Sequence, residues 1–577
     1  MSQRQKQRRD QRRRTARQRA DTKRRAAAGA GIALGATLAF GGAAQGATFT
    51  VTNLGDSGAG TLRDALNQAN LDTASPDQIT FASSLSGTIN LTSGDPLFVL
   101  GPVDVQGPGA DRISVDALNN APVFYVNTGA AAVPVTISGL TMTNGSFIVG
   151  GGILNAYSNL TVANSVISGN VALAGGGIFS PAGSLSLGNS TVRDNIGLYS
   201  GGGILSYGSL NVQASTVSGN SALGYNGDGY GAGIYSTTSG QPMRIQGSTI
   251  AGNTAASYGA GLASRANGGS TTTIENTTVS GNVATGDSGG GLAFTGSTTP
   301  TVRSSTIADN SAPALAGGVL ASQTTSPAPG LSLINSIVAG NSAAGGPDIF
   351  GPTGAAFSLV QNAADAGIID TVSGSNILGV DPGLAPLASN GGPTQTRAIS
   401  TTSPALDKGS SSGTTTDQRG STRPFDFGST ANSAAGGADG ADIGAFELAP
   451  NCQGKVATIV ARAGQATVGT AGADVIVGTD KRDVIRAGKG KDIVCGRSGK
   501  DKISGGKGND KIDGDSGKDK LFGQAGKDRL RGGKGNDTLN GGKGKDTLKG
   551  QKGKDTLKGG PGKDKLNGGP GKDTQKP

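Results

Sequence analysis

The 577-residue chain contains no histidine and no tryptophan. Without histidine, the commonest general base is missing. Ser-His and Cys-His nucleophile systems are excluded, and so are most zinc sites. Without tryptophan, and with aromatics at only 4 %, large aromatic-rich cores cannot form. Cysteine is limited to Cys452 and Cys495, with no C-x-x-C spacing, so thiolate metal or redox chemistry has no basis. Beyond residue 44 there is no long hydrophobic run, so no transmembrane anchor is expected there. Glycine, by contrast, supplies 102 residues, a share well above the usual level of about 7 %. It follows no Gly-X-Y period, which excludes collagen. Disorder is the alternative for so much Ser, Thr, Gly and Ala, but regularly placed Ile, Val and Leu argue against it.

The strongest regularity lies at the C-terminal end. An aspartate falls on every ninth residue: Asp474, Asp483, Asp492, Asp501, Asp510, Asp519, Asp528, Asp537, Asp546, Asp555, Asp564 and Asp573. An aliphatic residue follows two positions later, from Ile476 to Leu566, and only Gln575 departs. The fullest copies read GGKGNDKID (505–513) and GGKGNDTLN (532–540), the G-G-x-G-x-D-x-U-x pattern. A nine-residue period suits a chain that turns, runs a short strand, turns and runs back. The aliphatic residues then fill a thin core while the glycine turns stack into two columns. This segment resembles the RTX-type (hemolysin-type) calcium-binding β-roll. The resemblance implies Ca²⁺ held by turn carbonyls and the twelve aspartates, because this hard cation prefers oxygen ligands. Lysine fills the fifth position in most turns, with asparagine only at Asn509 and Asn536. The expected calcium affinity is correspondingly weaker than in an Asp/Asn-rich roll, since it depends on ligand charge.

A longer period runs from about 136 to 345. VISGN (166–170), TVRDN (191–195), TVSGN (216–220), TIAGN (249–253), TVSGN (278–282), TIADN (306–310) and IVAGN (337–341) each precede a variable loop. A glycine cluster and an aliphatic residue close most units. The pattern predicts a right-handed parallel β-helix of pectin-lyase-like type, with the asparagines laddered at one corner and accepting left-handed backbone there. A β-sandwich is the alternative. Residues 47–81 resemble the opening of bacterial surface β-helix proteins, with Thr61 to Asn70 as a capping helix. DPGLAPLASNGGPTQTRAI (381–399), SPALDKG (403–409), TDQRGSTRP (416–424) and ADIGAFE (441–447) resemble the choice-of-anchor Q region. That resemblance implies association with exported, surface-located β-helix proteins and no chemistry. The residues themselves suggest only turn-rich sequence closing the far end.

Charge divides the chain further. Residues 1–25 carry net +10, residues 26–450 net −13 and residues 451–577 net +13. The basic start, the uncharged stretch Ala26 to Ala44 and Ala44-Gln45-Gly46 read as a secretory signal peptide, with an uncleaved membrane anchor as the alternative. The expected division is therefore a signal peptide at 1–46, a capped β-helix at 47–375, a choice-of-anchor Q-like region at 376–450 and a calcium-binding β-roll at 451–577. In an exported protein Cys452 and Cys495 pair as a disulfide by default; two isolated thiols are the alternative. The oligomeric state is not legible.

Parallel β-helices also host polysaccharide lyases and glycosidases. Carboxylate chemistry there needs acids on neighbouring coils. The body offers Asp194, Asp228, Asp287 and Asp309, with Arg193, Arg244, Arg265 and Arg303. Asp194 and Asp309 are four coils apart, roughly 19 Å, too far to act as a pair. No enzyme is expected; a polysaccharide-active β-helix enzyme with a calcium-binding tail is the alternative. Tyr199, Tyr230 and Tyr258 precede glycine clusters in successive coils and form a candidate ligand-facing column, or else a structural edge stack. The basic tail suits anionic cell-envelope polymers or acidic polysaccharide, or is a solvated surface. Its single aromatic, Phe522, gives no support for specific nucleic-acid readout. The expected location is secreted or extracellular, at or near the cell surface.

Overall fold

The computed structural model describes residues 46–577 apart from 74, 130–132, 226, 228, 324–329, 428–429 and 462–463. The leader expected at 1–46 therefore lies, save Gly46, outside the described residues, as does Asp228. From Thr48–Val51 to Ile377–Leu378 the chain winds as a right-handed parallel β-helix. Successive coils stack into parallel sheets of thirteen, twelve and ten strands, with a fourth of six strands along the middle coils. Alternation sets which side chains point inward. In the strand Leu160 and Val162 are buried while Asn159 is exposed, and the partner strand repeats this in register through Leu185 and Leu187. One interior column, Ile153, Ile178, Ile204, Ile234, Leu262, Leu292, Val319 and Ile349, is fully buried.

The expected cap is present. Helix Leu62–Ala69 buries Leu62, Ala65, Leu66 and Ala69, and Thr61 accepts the Asp64 N–H at its N-terminus. This covers the first coil, where an open stack would expose unpaired strand edges. Arg63 fixes the helix through Asp56 at 2.7 Å and through the Pro96 carbonyl at 2.7 Å.

The asparagine ladder runs unbroken. Side-chain amides donate from Asn170 to Asn195, then to Asn220, Asn253, Asn282, Asn310 and Asn341, at 2.8–3.0 Å. Asp348 accepts from Asn341 at 2.9 Å and closes the line. The left-handed backbone, however, belongs to the preceding residue and not to asparagine. It is Gly169, Gly219, Gly252, Gly281 and Gly340, and in two coils Asp194 (φ 56) and Asp309 (φ 57). Glycine takes that conformation at least cost, and aspartate is among the few side chains that tolerate it. A second ladder joins hydroxyls to main-chain N–H groups of the previous coil, through Ser165, Ser190, Ser215, Ser248, Thr277, Ser305, Ser336 and Ser358.

Residues 376–450 do not simply close the far end. They fold back along the outside of the twelve-stranded sheet. Gln418 reaches the Ser248 carbonyl at 3.0 Å and the Thr278 hydroxyl at 2.6 Å, and the Ala445 N–H donates to Thr306 at 3.0 Å. Ile399, Leu406, Ile443 and Phe446 pack on Ile337 and Leu359. The motifs 416–424 and 441–447 meet in a fully buried Arg423–Glu447 ion pair at 2.8 Å. The Glu447 carboxylate also accepts from the Phe425 and Asp442 N–H groups.

Candidate calcium site

Nine residues make half a coil of the C-terminal roll, so residue i pairs with i+18 in parallel register, as Ile485 does with Ile503 and Ile503 with Leu521. Alternate repeats consequently fall on two facing sheets. Ile476, Ile485, Val494, Ile503, Ile512, Leu521, Leu530, Leu539, Leu548 and Leu557 fill the space between them, all buried. The hairpin Asn451–Cys452 and Lys455–Val456 lies at the start of the roll. A Cys452–Cys495 disulfide joins it to the strand Ile493–Cys495.

Each repeat aspartate from Asp492 to Asp573 offers one carboxylate oxygen to the coil before it. Oδ1 of Asp510 accepts the Asp492 N–H at 3.0 Å, and the pattern repeats up both turn columns as far as Asp573 and Asp555. The second oxygen is different. In Asp492, Asp501, Asp510, Asp519, Asp528, Asp537, Asp546, Asp555 and Asp564, Oδ2 is buried without a hydrogen-bond partner. Such an atom costs free energy unless something compensates it. It sits in a glycine cradle: a Cβ on Gly505 would lie 2.4 Å from Asp510 Oδ2, and one on Gly523 2.4 Å from Asp528 Oδ2. Between coils, a Cβ on Gly508 would lie 1.5 Å from the Gly490 carbonyl oxygen. Only glycine allows so close an approach. An unpartnered carboxylate oxygen inside a carbonyl-rich turn is the donor chemistry a hard divalent cation takes, so these residues fit calcium. Among the described residues, no three His, Cys, Asp or Glu side chains converge; the remaining donors would be main-chain oxygens.

Burial raises the pKa of these carboxyls. Asp501 and Asp528 are pushed up to about 7, and Asp510, Asp519 and Asp537 to about 6, with loss of hydration the leading cause in each. In Asp474 and Asp483 both carboxylate oxygens accept hydrogen bonds, from Thr470 and Thr479 respectively. Asp573, in the last turn, is only partly buried.

The lysines face outward. Lys527, Lys534, Lys543, Lys545, Lys549, Lys552, Lys554 and Lys558 are exposed, while Asp528, Asp537, Asp546 and Asp555 are buried. Asn509 and Asn536 lie in opposite turn columns, accepting the N–H of Lys527 and Lys554 respectively.

The other singled-out side chains lie on the β-helix. Tyr230 stacks on Tyr258 with ring centroids 4.3 Å apart and contacts Tyr235. Among the described residues Tyr199 joins no ring pair, and all three tyrosines are half-buried. Asp194 pairs with Arg193 and Asp309 with Arg397. No sequence signal led to Arg397, which comes from the folded-back segment. Among the described residues, no helix is long and apolar enough to cross a membrane.

Residues 468–503, 496–530, 522–553 and 540–575 match the family described as RTX calcium-binding nonapeptide repeat. No curated protein matches the chain. Among solved structures, the crystal structure of pectate lyase Pel9A is similar at 13% identity and a TM-score of 0.35, over 70% of this chain and 97% of that one. The C-terminal segment thus carries RTX calcium-binding nonapeptide repeats behind a parallel β-helix.

Proposed function

We propose that this is an exported, non-catalytic protein of the cell surface or its surroundings. Its β-helix displays loops to partners, its β-roll takes up calcium, and its basic outer surface associates with anionic envelope polymers. The observation that carries this reading is the row of buried, unpartnered Oδ2 atoms from Asp492 to Asp564. Bound calcium would supply the charge that keeps those carboxylates ionised away from water. Main-chain oxygens of the same turns would complete the donor set. Main-chain ligation does not depend on the fifth side chain, so the lysine turns keep it. Weak sites, filled at the ~1 mM calcium of external fluids, fit a stabilising role outside the cell.

The same burial sharpens the surface charge. Beyond Asp515 every acidic residue is one of the repeat aspartates, so from Asp519 to Asp555 the roll turns its acids inward and its bases outward. Calcium on the inside would neutralise the acids further. The resulting cationic rod suits wall phosphates, acidic polysaccharide or anionic lipid headgroups. The test is retention of the full chain on an immobilised polyphosphate matrix at rising salt. Retention should fall steeply as screening shortens from about 10 Å at 0.1 M to about 3 Å at 1 M. Retention that ignores salt would refute the electrostatic attachment.

A further inference from the structure

The first two turns of the roll are wired differently from those that follow. In later repeats the second position has left-handed backbone: Gly488 (φ 110), Arg497 (φ 68), Gly506 (φ 116), Asp515 (φ 63) and Gln524 (φ 78). In the first two it is Thr470 and Thr479, neither with positive φ, as a β-branched residue requires. Each threonine turns its N–H onto the aspartate of its own turn, Thr470 to Asp474 Oδ2 and Thr479 to Asp483 Oδ2, both at 2.6 Å. Their hydroxyls lie 3.0–3.1 Å from both oxygens of the same carboxylates. The fourth position, glycine at Gly490 (φ 136) and Gly508 (φ 139), is Lys481 in the second turn, without positive φ. The oxygen left unpartnered in the nine turns from Asp492 to Asp564 is therefore already satisfied in these two.

We propose that Asp474 and Asp483 are not calcium ligands, and that threonine does for them what the cation does elsewhere. The first coil of the roll then forms without metal and serves as the template on which the calcium-dependent coils assemble. Two further features point the same way. The disulfide fastens the hairpin over Val477, Ile493 and Cys495, which pack with Cys452 and Ala457. The Asp474 and Asp483 N–H groups donate to Asp492 Oδ1 at 2.9 Å and Asp501 Oδ1 at 2.8 Å, so the preset coil offers a fixed donor to each carboxylate that must be placed next. The inference rests on the calcium reading of the later turns.

Hydrogen exchange of the oxidised full-length protein tests it, first in chelator and then in saturating calcium. In chelator, peptides spanning 466–486 should stay protected while those spanning 505–577 exchange, and calcium should slow the latter by on the order of a hundredfold. Uniform exchange of 466–577 in chelator, with calcium protecting both segments alike, would overturn the proposal and leave the calcium reading standing. No calcium response in any peptide would overturn the calcium reading, and the templating with it. Replacing Thr470→Gly and Thr479→Gly together should abolish protection of 466–486 in chelator and raise calcium uptake per chain. The Thr→Ser pair, which keeps both donors, should behave as the parent. Equal protection and uptake in the glycine variant and the parent would refute threonine capping.

Discussion

At the scale of single residues, the molecule depends on polar side chains that serve two coils at once. Asn253 donates to Asn282 and receives both the side-chain amide and the main-chain N–H of Asn220. Asn253→Ala should cost about 1–3 kcal/mol, because it strands buried donors, measured as a lowered denaturation midpoint. The repeat aspartates give a pH signature. Their folded-state pKa values, about 6 to 7 at Asp501, Asp510, Asp519, Asp528 and Asp537, lie above the unfolded value near 3.9. A raised pKa favours the folded form fully below the unfolded value and loses that contribution as pH rises through the folded one. Without metal, the roll should therefore hold more strand at pH ~4 than at pH ~8. Calcium should flatten the dependence. Circular dichroism across that range checks this, and a metal-free roll that strengthens with rising pH would contradict it.

At the scale of elements, what could be read in advance is whatever repeats at the packing period. Ile476 to Leu557 and the aspartates share one nine-residue metre, so core and turn were both legible. The asparagine ladder was legible because Gly-Asn and Asp-Asn recur at one corner. The hydroxyl ladder through Ser165 to Ser358 was not, since serine is common throughout the body and no neighbour marks it. Nor was the path of residues 376–450. That segment docks through single contacts such as Gln418 to Ser248, 170 residues apart, which leave no periodic trace. Its resemblance motifs were visible, but not that Arg423 and Glu447 face each other in the dry interior. Breaking that pair one-sidedly leaves an uncompensated buried charge. Arg423→Ala should lower stability by roughly 3–5 kcal/mol, and limited proteolysis should then cut within 376–450 while the β-helix survives.

At the scale of the whole molecule, two stacked architectures solve the same problem of building length without a large core. The β-helix ties coil to coil with asparagine and hydroxyl ladders made by its own side chains. The roll buries a carboxylate in most half coils and leaves one oxygen of most of these unanswered, which is the need the proposed cation would meet. Reduction of Cys452–Cys495, which closes a 43-residue loop, should weaken the roll by about 4 kcal/mol in the loop-entropy picture, seen as a higher calcium midpoint in the strand signal. The most direct measurement is equilibrium dialysis of the full chain against calcium, with bound metal counted per molecule, for the parent and for Asp519→Ala with Asp528→Ala. Several ions per chain are expected, with fewer in the variant. A parent that takes up no calcium at external concentrations would contradict the role assigned to those buried oxygens.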